Sequence, residues 1–357
     1  ARGAPAAEAG RENGETDLEE SMTELRWGIL STANIGTRKV IAPTQAAARC
    51  RVVAIASREA NRAMFTAQQL GIPRSYGSYE ALLRDPEVDA VYNPLPNHLH
   101  AEWTIAALEA GKHVLCEKPF SRSSKEAEIM VAAAKKKKKL LVSGFNNRYR
   151  EDAAVLKRFV AEGELGEVYY AKTGWLMQPA TWGLESWKTK KRYAGGGVLL
   201  DLGTQILDTT LWLLGMPKVE AVSANAYPRP QRDELETSAA ALLRVEGGVT
   251  ITLEVSLGLL MERDFAYLNL FGDRGAALMN PLRLHKEMHG SLVNVTPTLS
   301  TGRNIYKLSY ENELRHFVDC VRGDAVPVSP GEEALRLLRV LEAMYQSARE
   351  GREIRLG

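Results

Sequence analysis

The chain has 357 residues, 45% hydrophobic and 25% charged, with a formal net charge of +2. Those proportions exclude wholesale disorder, a collagen-like fibre and a disulfide scaffold, and the length sets a prior of two domains. No run of about 18 apolar residues occurs, so neither a transmembrane helix nor a membrane partner is expected. The three scattered cysteines, Cys50, Cys116 and Cys320, fit a reduced, cytoplasmic setting and no metal site.

The charge is unevenly spread. Residues 1–24 hold seven acids and two arginines, which leaves the remainder at +7. An excess of that size suits a phosphate-bearing ligand and falls short of a nucleic-acid footprint. The 1–24 segment, rich in Ala, Gly and Glu, reads as a flexible tail, with an arm around a partner subunit as the alternative. It holds no apolar h-region or twin-arginine pair, so no secretory signal is expected.

From Leu25, apolar runs at 25–30, 51–56, 89–93, 113–116 and 140–144 alternate with helical patterns at 35–48, 59–70, 99–110 and 123–138. Such repetition predicts a doubly wound parallel sheet covered on both faces. The five lysines 135–139 read as a solvated helix end, since no aromatic platform accompanies them. After Arg148 the pattern changes. A helix is predicted at 150–161 and strands at 167–175, 219–227, 238–245, 249–257 and 264–271. Val249, Ile251, Leu253 and Val255 alternate with Thr250, Thr252, Glu254 and Ser256. That period of two marks an antiparallel sheet with one buried face. Turns at Gly247-Gly248 and Asp273-Arg274-Gly275 separate the strands, and helices at 311–322 and 331–350 end the chain.

The first strand runs into Ser31-Thr32-Ala33-Asn34-Ile35-Gly36, where a dinucleotide fingerprint G-x-G-x-x-G belongs. Ser31, Ala33 and Gly36 occupy its three small positions, and Asn34 and Ile35 open a helix whose free N–H groups suit a pyrophosphate. A tight turn without ligand is the alternative. At the end of the second strand stand Ser57 and Arg58, with Arg62 one turn on. A hydroxyl and two guanidiniums there, in place of an acid, favour the 2′-phosphate of NADP, with NAD possible. The alternative is ordinary surface arginines. Asn93–His100 follows the third strand as a stiff, proline-bearing loop at the edge where open α/β sheets bind ligands. Pro94, Leu95, Asn97 and His100 are candidate cofactor contacts, His100 being as often structural. The fourth apolar strand ends in Glu117-Lys118-Pro119. Adjacent charges there are costly unless paired or used. Lys118, partly desolvated, is expected to have a lowered pKa and to trade a proton near neutrality, unless the pair is only a salt-bridged strand end.

Together the turn at 25–36, Asn93–His100, Ala110–Pro119, Gly144–Tyr149 and Gly195-Gly196-Gly197 through Asp201-Leu202-Gly203 resemble the Gfo/Idh/MocA oxidoreductases over about residues 25–355. The resemblance implies an N-terminal Rossmann dinucleotide-binding domain (25–147). An α+β domain with a large, mostly antiparallel open sheet follows (148–357) and makes a homodimer or homotetramer. It further implies that the Lys118-Pro119 bond is cis and that Lys118 and Asp201 are catalytic and touch substrate. Glu117, Lys118 and Arg148 then contact cofactor. Many members carry a histidine four residues beyond the aspartate; here Gln205 stands there, able to hydrogen-bond a hydroxyl but not to exchange a proton. Tyr193 and Tyr149 are candidate helpers for Lys118. Trp175, Trp182 and Trp187, with Lys188, Lys190, Lys191 and Arg192, read either as sugar and anion contacts or as core tryptophans and a solvated loop. Trp187 is the candidate substrate contact among them. His285, His289 and His316 read as structural. The activity implied is NADP(H)-dependent hydride transfer to or from a carbonyl or secondary alcohol of a sugar, cyclitol or polyol. A dihydrodiol- or aldose-dehydrogenase-like enzyme and a non-catalytic dinucleotide binder are the alternatives.

Overall fold

The computed structural model describes residues 24–46, 49–179, 187–228, 235–299 and 304–357; most of the 1–24 tail and Trp182 lie outside them. The apolar runs near the amino terminus become β1 (Leu25–Leu30), β2 (Cys50–Ala56), β3 (Arg74–Tyr76), β4 (Ala90–Asn93), β5 (His113–Glu117) and β6 (Leu141–Gly144). They pair in parallel in the order β3-β2-β1-β4-β5-β6. The order reverses between β1 and β4, which opens a crevice at their carboxyl ends. β3, three residues without apolar alternation, is an edge that periodicity does not announce. The lysine tract ends the helix Ser124–Lys137, and Lys138 turns left-handed to close it.

The second sheet has nine strands: β7 (Val168–Leu176), β8 (Val219–Pro228), β9 (Glu236–Val245), β10 (Thr250–Ser256), β11 (Phe265–Gly272), β12 (Gly275–Met279), β13 (Arg283–Met288), β14 (Ser291–Asn294) and β15 (Ile354–Arg355). Their order is β14-β13-β12-β11-β7-β10-β9-β8-β15, antiparallel throughout except between β7 and β10. Ile251, Leu253 and Val255 point inward as their alternation requires. Helices Thr204–Leu213 and Gly331–Glu350 cover that inner face, and Gly331–Glu350 also lies against Ser124–Lys137.

Helix Ile305–Arg322 does not stay with the second sheet. Its Tyr310, Leu314, Phe317 and Val318 join Trp27, Ile29, Val52 and Ile55 in one buried cluster, with Phe317 4.7 Å from Trp27. The helix runs from Ile305, earlier than its strongest apolar spacing indicates, because Asn304 caps it through a bond from Lys307 N–H. Among the described residues no helix is long and apolar enough to cross a membrane.

Candidate active site

Ser31 holds φ at +83°, the left-handed conformation usually left to glycine. Its Oγ accepts the Ala33 N–H at 3.2 Å, a local bond that helps a non-glycine residue keep that turn. Ala33, Asn34 and Ile35 then open the first helix toward the crevice. At the end of β4, buried Asn93 donates to the His100 carbonyl at 3.2 Å and to Thr104 Oγ1 at 3.0 Å. His100 meets the Pro119 carbonyl through Nδ1 at 2.8 Å and the Leu95 carbonyl through Nε2 at 2.6 Å. The ring thus lies between the 94–97 loop and the end of β5, its single N–H in the neutral form donating to one of the two carbonyls. The Lys118-Pro119 bond is cis.

Glu117 is buried at the tip of β5. It accepts the Tyr92 hydroxyl at 2.6 Å and the Lys118 N–H at 3.2 Å, and burial pushes its pKa up. Lys118 projects its Nζ to 2.7 Å from Asp201 Oδ1, while Lys188 Nζ lies 3.7 Å from Asp201 Oδ2. Burial pulls the Lys118 pKa down, but Asp201 and then Glu117 outweigh it, so the pKa is raised. The expectation of a lowered lysine pKa is thus corrected: the carboxylate partner overturns the desolvation effect. Burial pushes Asp201 up, and the two lysines more than reverse this, to about 2. Its share of the pair's stabilisation is complete above the ordinary aspartate range and fades as pH falls through about 2.

Asp201 is presented by the triple glycine before it. Gly195 has φ +87°, and a Cβ there would press on Arg122. A Cβ on Gly196 would collide with the Tyr345 hydroxyl, and one on Gly197 with the Glu236 carbonyl oxygen. Each glycine admits a different neighbour at close range.

These elements enclose a cavity of about 590 Å³. Of the residues expected at a site, Ala33, Asn34, Ile35, Pro94, Leu95, Asn97, His100, Glu117, Lys118, Trp187 and Asp201 stand on its wall. Ser31 sits behind its first turn. Ser57, Arg58 and Arg62 cluster past the end of β2, off that wall: Ser57 is buried and bonded to Glu59 N–H, and both arginines are exposed.

Two residues are elsewhere. Arg148, expected at the cofactor, is fully buried, its guanidinium gripped by Asp208 at 2.9 and 2.6 Å and by Glu333, so it has no face toward a ligand. Gln205, expected at the substrate, is buried and off the cavity wall. The turn Leu199–Gly203 that carries Asp201 is a π-turn. Gln205 follows it in the helix Thr204–Leu213. Tyr149 is buried with its hydroxyl 3.1 Å from Ser329 Oγ, and Tyr193 tilts against His98, so neither joins Lys118. Trp175 packs against the core, and Lys190, Lys191 and Arg192 are exposed. His316 accepts the Val328 N–H, a structural bond.

The second sheet adds Leu235, Glu236, Thr237 and Leu257 to the wall, none of them singled out by the sequence. Glu236 opens β9 out of step with the alternation that follows, so only its place in the fold reveals it.

Two family profiles match in tandem: an oxidoreductase family with an NAD-binding Rossmann fold over residues 25–145, and the C-terminal alpha/beta domain of the same oxidoreductase family over residues 157–356. The chain belongs to the Gfo/Idh/MocA oxidoreductases. It is accordingly an enzyme, a nicotinamide-dependent dehydrogenase or reductase. Among family relatives, D-xylose 1-dehydrogenase (NADP(+)) 2 of Haloferax volcanii is 32% identical, over 93% of this chain and all of its own length. The 1,5-anhydro-D-fructose reductase of Ensifer adhaerens is 30% identical, over 91% of this chain and 97% of its own length. In fold the chain is similar to a levoglucosan dehydrogenase solved with NADH and levoglucosan. That likeness has a TM-score of 0.84 at 22% identity and covers 93% of this chain and 99% of the other.

Proposed function

We propose that this enzyme moves a hydride between NADP(H) and a carbonyl or secondary alcohol of a sugar or related polyol. Lys118 acts as its acid–base group. The observation that carries the reading is the Lys118–Asp201 pair at 2.7 Å on the wall of a cavity reached by the first helix turn. That turn fits a dinucleotide: the side chains stay small at Ser31 and Ala33, and the start of a helix favours an anion. When bound, the nicotinamide supplies or accepts the hydride.

The chain's own residues do the rest. In reduction, Lys118 Nζ gives a proton to the oxygen of the carbonyl carbon that receives the hydride. In oxidation it takes the proton from the alcohol. Asp201 holds Nζ in place and keeps it an ammonium, the form that reduction needs, and Trp187 offers an aromatic face to the C–H side of a sugar ring. Purified protein with NADPH and a panel of keto-sugars and polyols tests the reading; absence of turnover across the panel would sink it.

Asp201→Asn removes the charge that holds the Lys118 pKa up. The burial effect is then unopposed by it, so the limb of the pH–rate profile set by Lys118 should move to lower pH, with kcat for reduction falling at neutral pH. A profile unchanged from wild type would detach Asp201 from the proton step.

Support for NADP over NAD comes from Arg58 and Arg62 in the place of a ribose-binding acid, and from a relative named for NADP(+). NADPH should bind more tightly than NADH, and Arg58→Ala should narrow the difference by about 1.5–3 kcal/mol, the scale of a hydrogen bond to a charged group. Fluorescence titration with both cofactors decides it, and equal wild-type affinities would refute it.

Self-association through the open sheet accompanies this reading. Tyr170, Phe265, Tyr267 and Phe271 share its outer face with Leu242, and Tyr170 stacks on Phe271 at 5.8 Å. Such an aromatic face suits burial against a second copy.

A further inference from the structure

Glu236 belongs to neither the dinucleotide turn nor the lysine strand, yet it meets the segment that carries Asp201 more closely than any other acid on the cavity wall. It is the first residue of β9 and is buried. Its carboxylate accepts the Gly197 N–H at 3.0 and 3.1 Å, the Leu199 N–H at 3.1 Å and the Tyr345 hydroxyl at 2.7 Å. The Gly197 carbonyl in turn accepts the Asp201 N–H at 3.0 Å. Two successive hydrogen bonds through Gly197 therefore join the Glu236 carboxylate to the backbone of Asp201. The amides it holds open the π-turn Leu199–Gly203, where N–H groups have no partner within the turn and an anion is favoured. Tyr345 fixes the other side of the carboxylate from helix Gly331–Glu350. Gly196 and Gly197 are bare because this clamp leaves no room for a Cβ.

We infer that Glu236 is a positioning residue for the proton step: by clamping the Gly197 and Leu199 amides it aims Asp201 at Lys118. This deepens the proposed function and rests on it for the identity of the step, though not for the clamp itself. Lys118 is faced by Asp201 from the π-turn, by Glu117 on its own strand and by Tyr306 from helix Ile305–Arg322, and Asp201 also by Lys188. Only the Asp201 contact depends on the clamp.

The test compares wild type with Glu236→Ala by two readouts. The first is the pH dependence of Lys118 acetylation by acetic anhydride, followed by peptide mass spectrometry. Its midpoint should move about 1 pH unit lower as the opposite charge swings away. The second is kcat on the best sugar of the panel. It should fall about 10²-fold, as misplacement of a catalytic group by about an ångström does, while NADPH affinity stays at the wild-type value. Should Glu236→Ala fail to fold, Glu236→Met carries the test. Its side chain keeps much of the volume but offers no oxygen acceptor to the Gly197 and Leu199 N–H groups, and the same two shifts are expected. An unchanged acetylation midpoint in the folded variant overturns the inference, as does a loss of kcat matched by an equal loss of NADPH affinity. If wild type turns over no sugar and the midpoint still moves, the clamp stands and the sugar-oxidoreductase reading falls.

Discussion

Replacing Lys118 by methionine is expected to lower kcat by about 10²–10⁴-fold while leaving NADP(H) affinity near the wild-type value. Methionine keeps the length and apolar stem of lysine, so the loop that Pro119 and His100 brace should hold its shape. What disappears is the nearer of the two ammonium groups on Asp201, since Lys188 stands at 3.7 Å. Asp201 then keeps the cost of burial with a weaker partner, and its pKa should climb from about 2 toward the ordinary range. Steady-state rates with the best sugar, beside a fluorescence titration with NADPH, separate the two effects. Near-normal kcat in the variant would make Lys118 a structural strand end.

Arg148→Met is expected to cost about 3–5 kcal/mol of stability, the scale of a buried ion pair broken from one side. The guanidinium and its Asp208 partner are both shielded from solvent, and Glu333 and the Val328 carbonyl complete its bonds. Burial pushes Asp208 up and Arg148 opposes that. Without the arginine, Asp208 must take a proton or remain an unpaired buried charge. Urea denaturation of wild type, of both single variants and of the double variant that adds Asp208→Leu makes the cycle: in the Arg148→Met background the second change should recover part of the loss. A single-variant loss under about 1 kcal/mol would show the network to be dispensable. NADPH affinity of the folded single variant should be unchanged, because nothing on Arg148 faces the cavity.

Both lobes were legible where periodicity and burial coincide. The β10 alternation appears in the structure as drawn from residues 249–256, and helix Gly331–Glu350 has the bounds its apolar spacing sets. Illegible elements are those whose pairing is fixed by neighbours. β13 and β14 lie at one edge, β14 exposed throughout and β13 burying only Leu284, so no alternation of buried residues marks them. At the site, Glu117-Lys118-Pro119 stands out because charge interrupts an apolar strand. Arg148 misleads for the complementary reason: its motif marks it as special, but the acids that explain it, Asp208 and Glu333, are distant in sequence. Gln205 is placed by its spacing from Asp201, and spacing alone does not report whether a side chain reaches the cavity.

The return of helix Ile305–Arg322 to the first sheet sets an order on biogenesis. Trp27 and Ile29 emerge from the ribosome well before Phe317, the aromatic residue that shields Trp27. The strands of the first lobe are therefore all made long before that lobe is complete in cover, with one apolar face open to solvent while β7 to β14 are being made. Closure of that face is among the most non-local events in the molecule, the kind that slows folding and lengthens exposure to aggregation. A nascent chain halted before Ile305 would carry a finished nucleotide-binding sheet with a raw side, a natural target for chaperones that hold apolar surface.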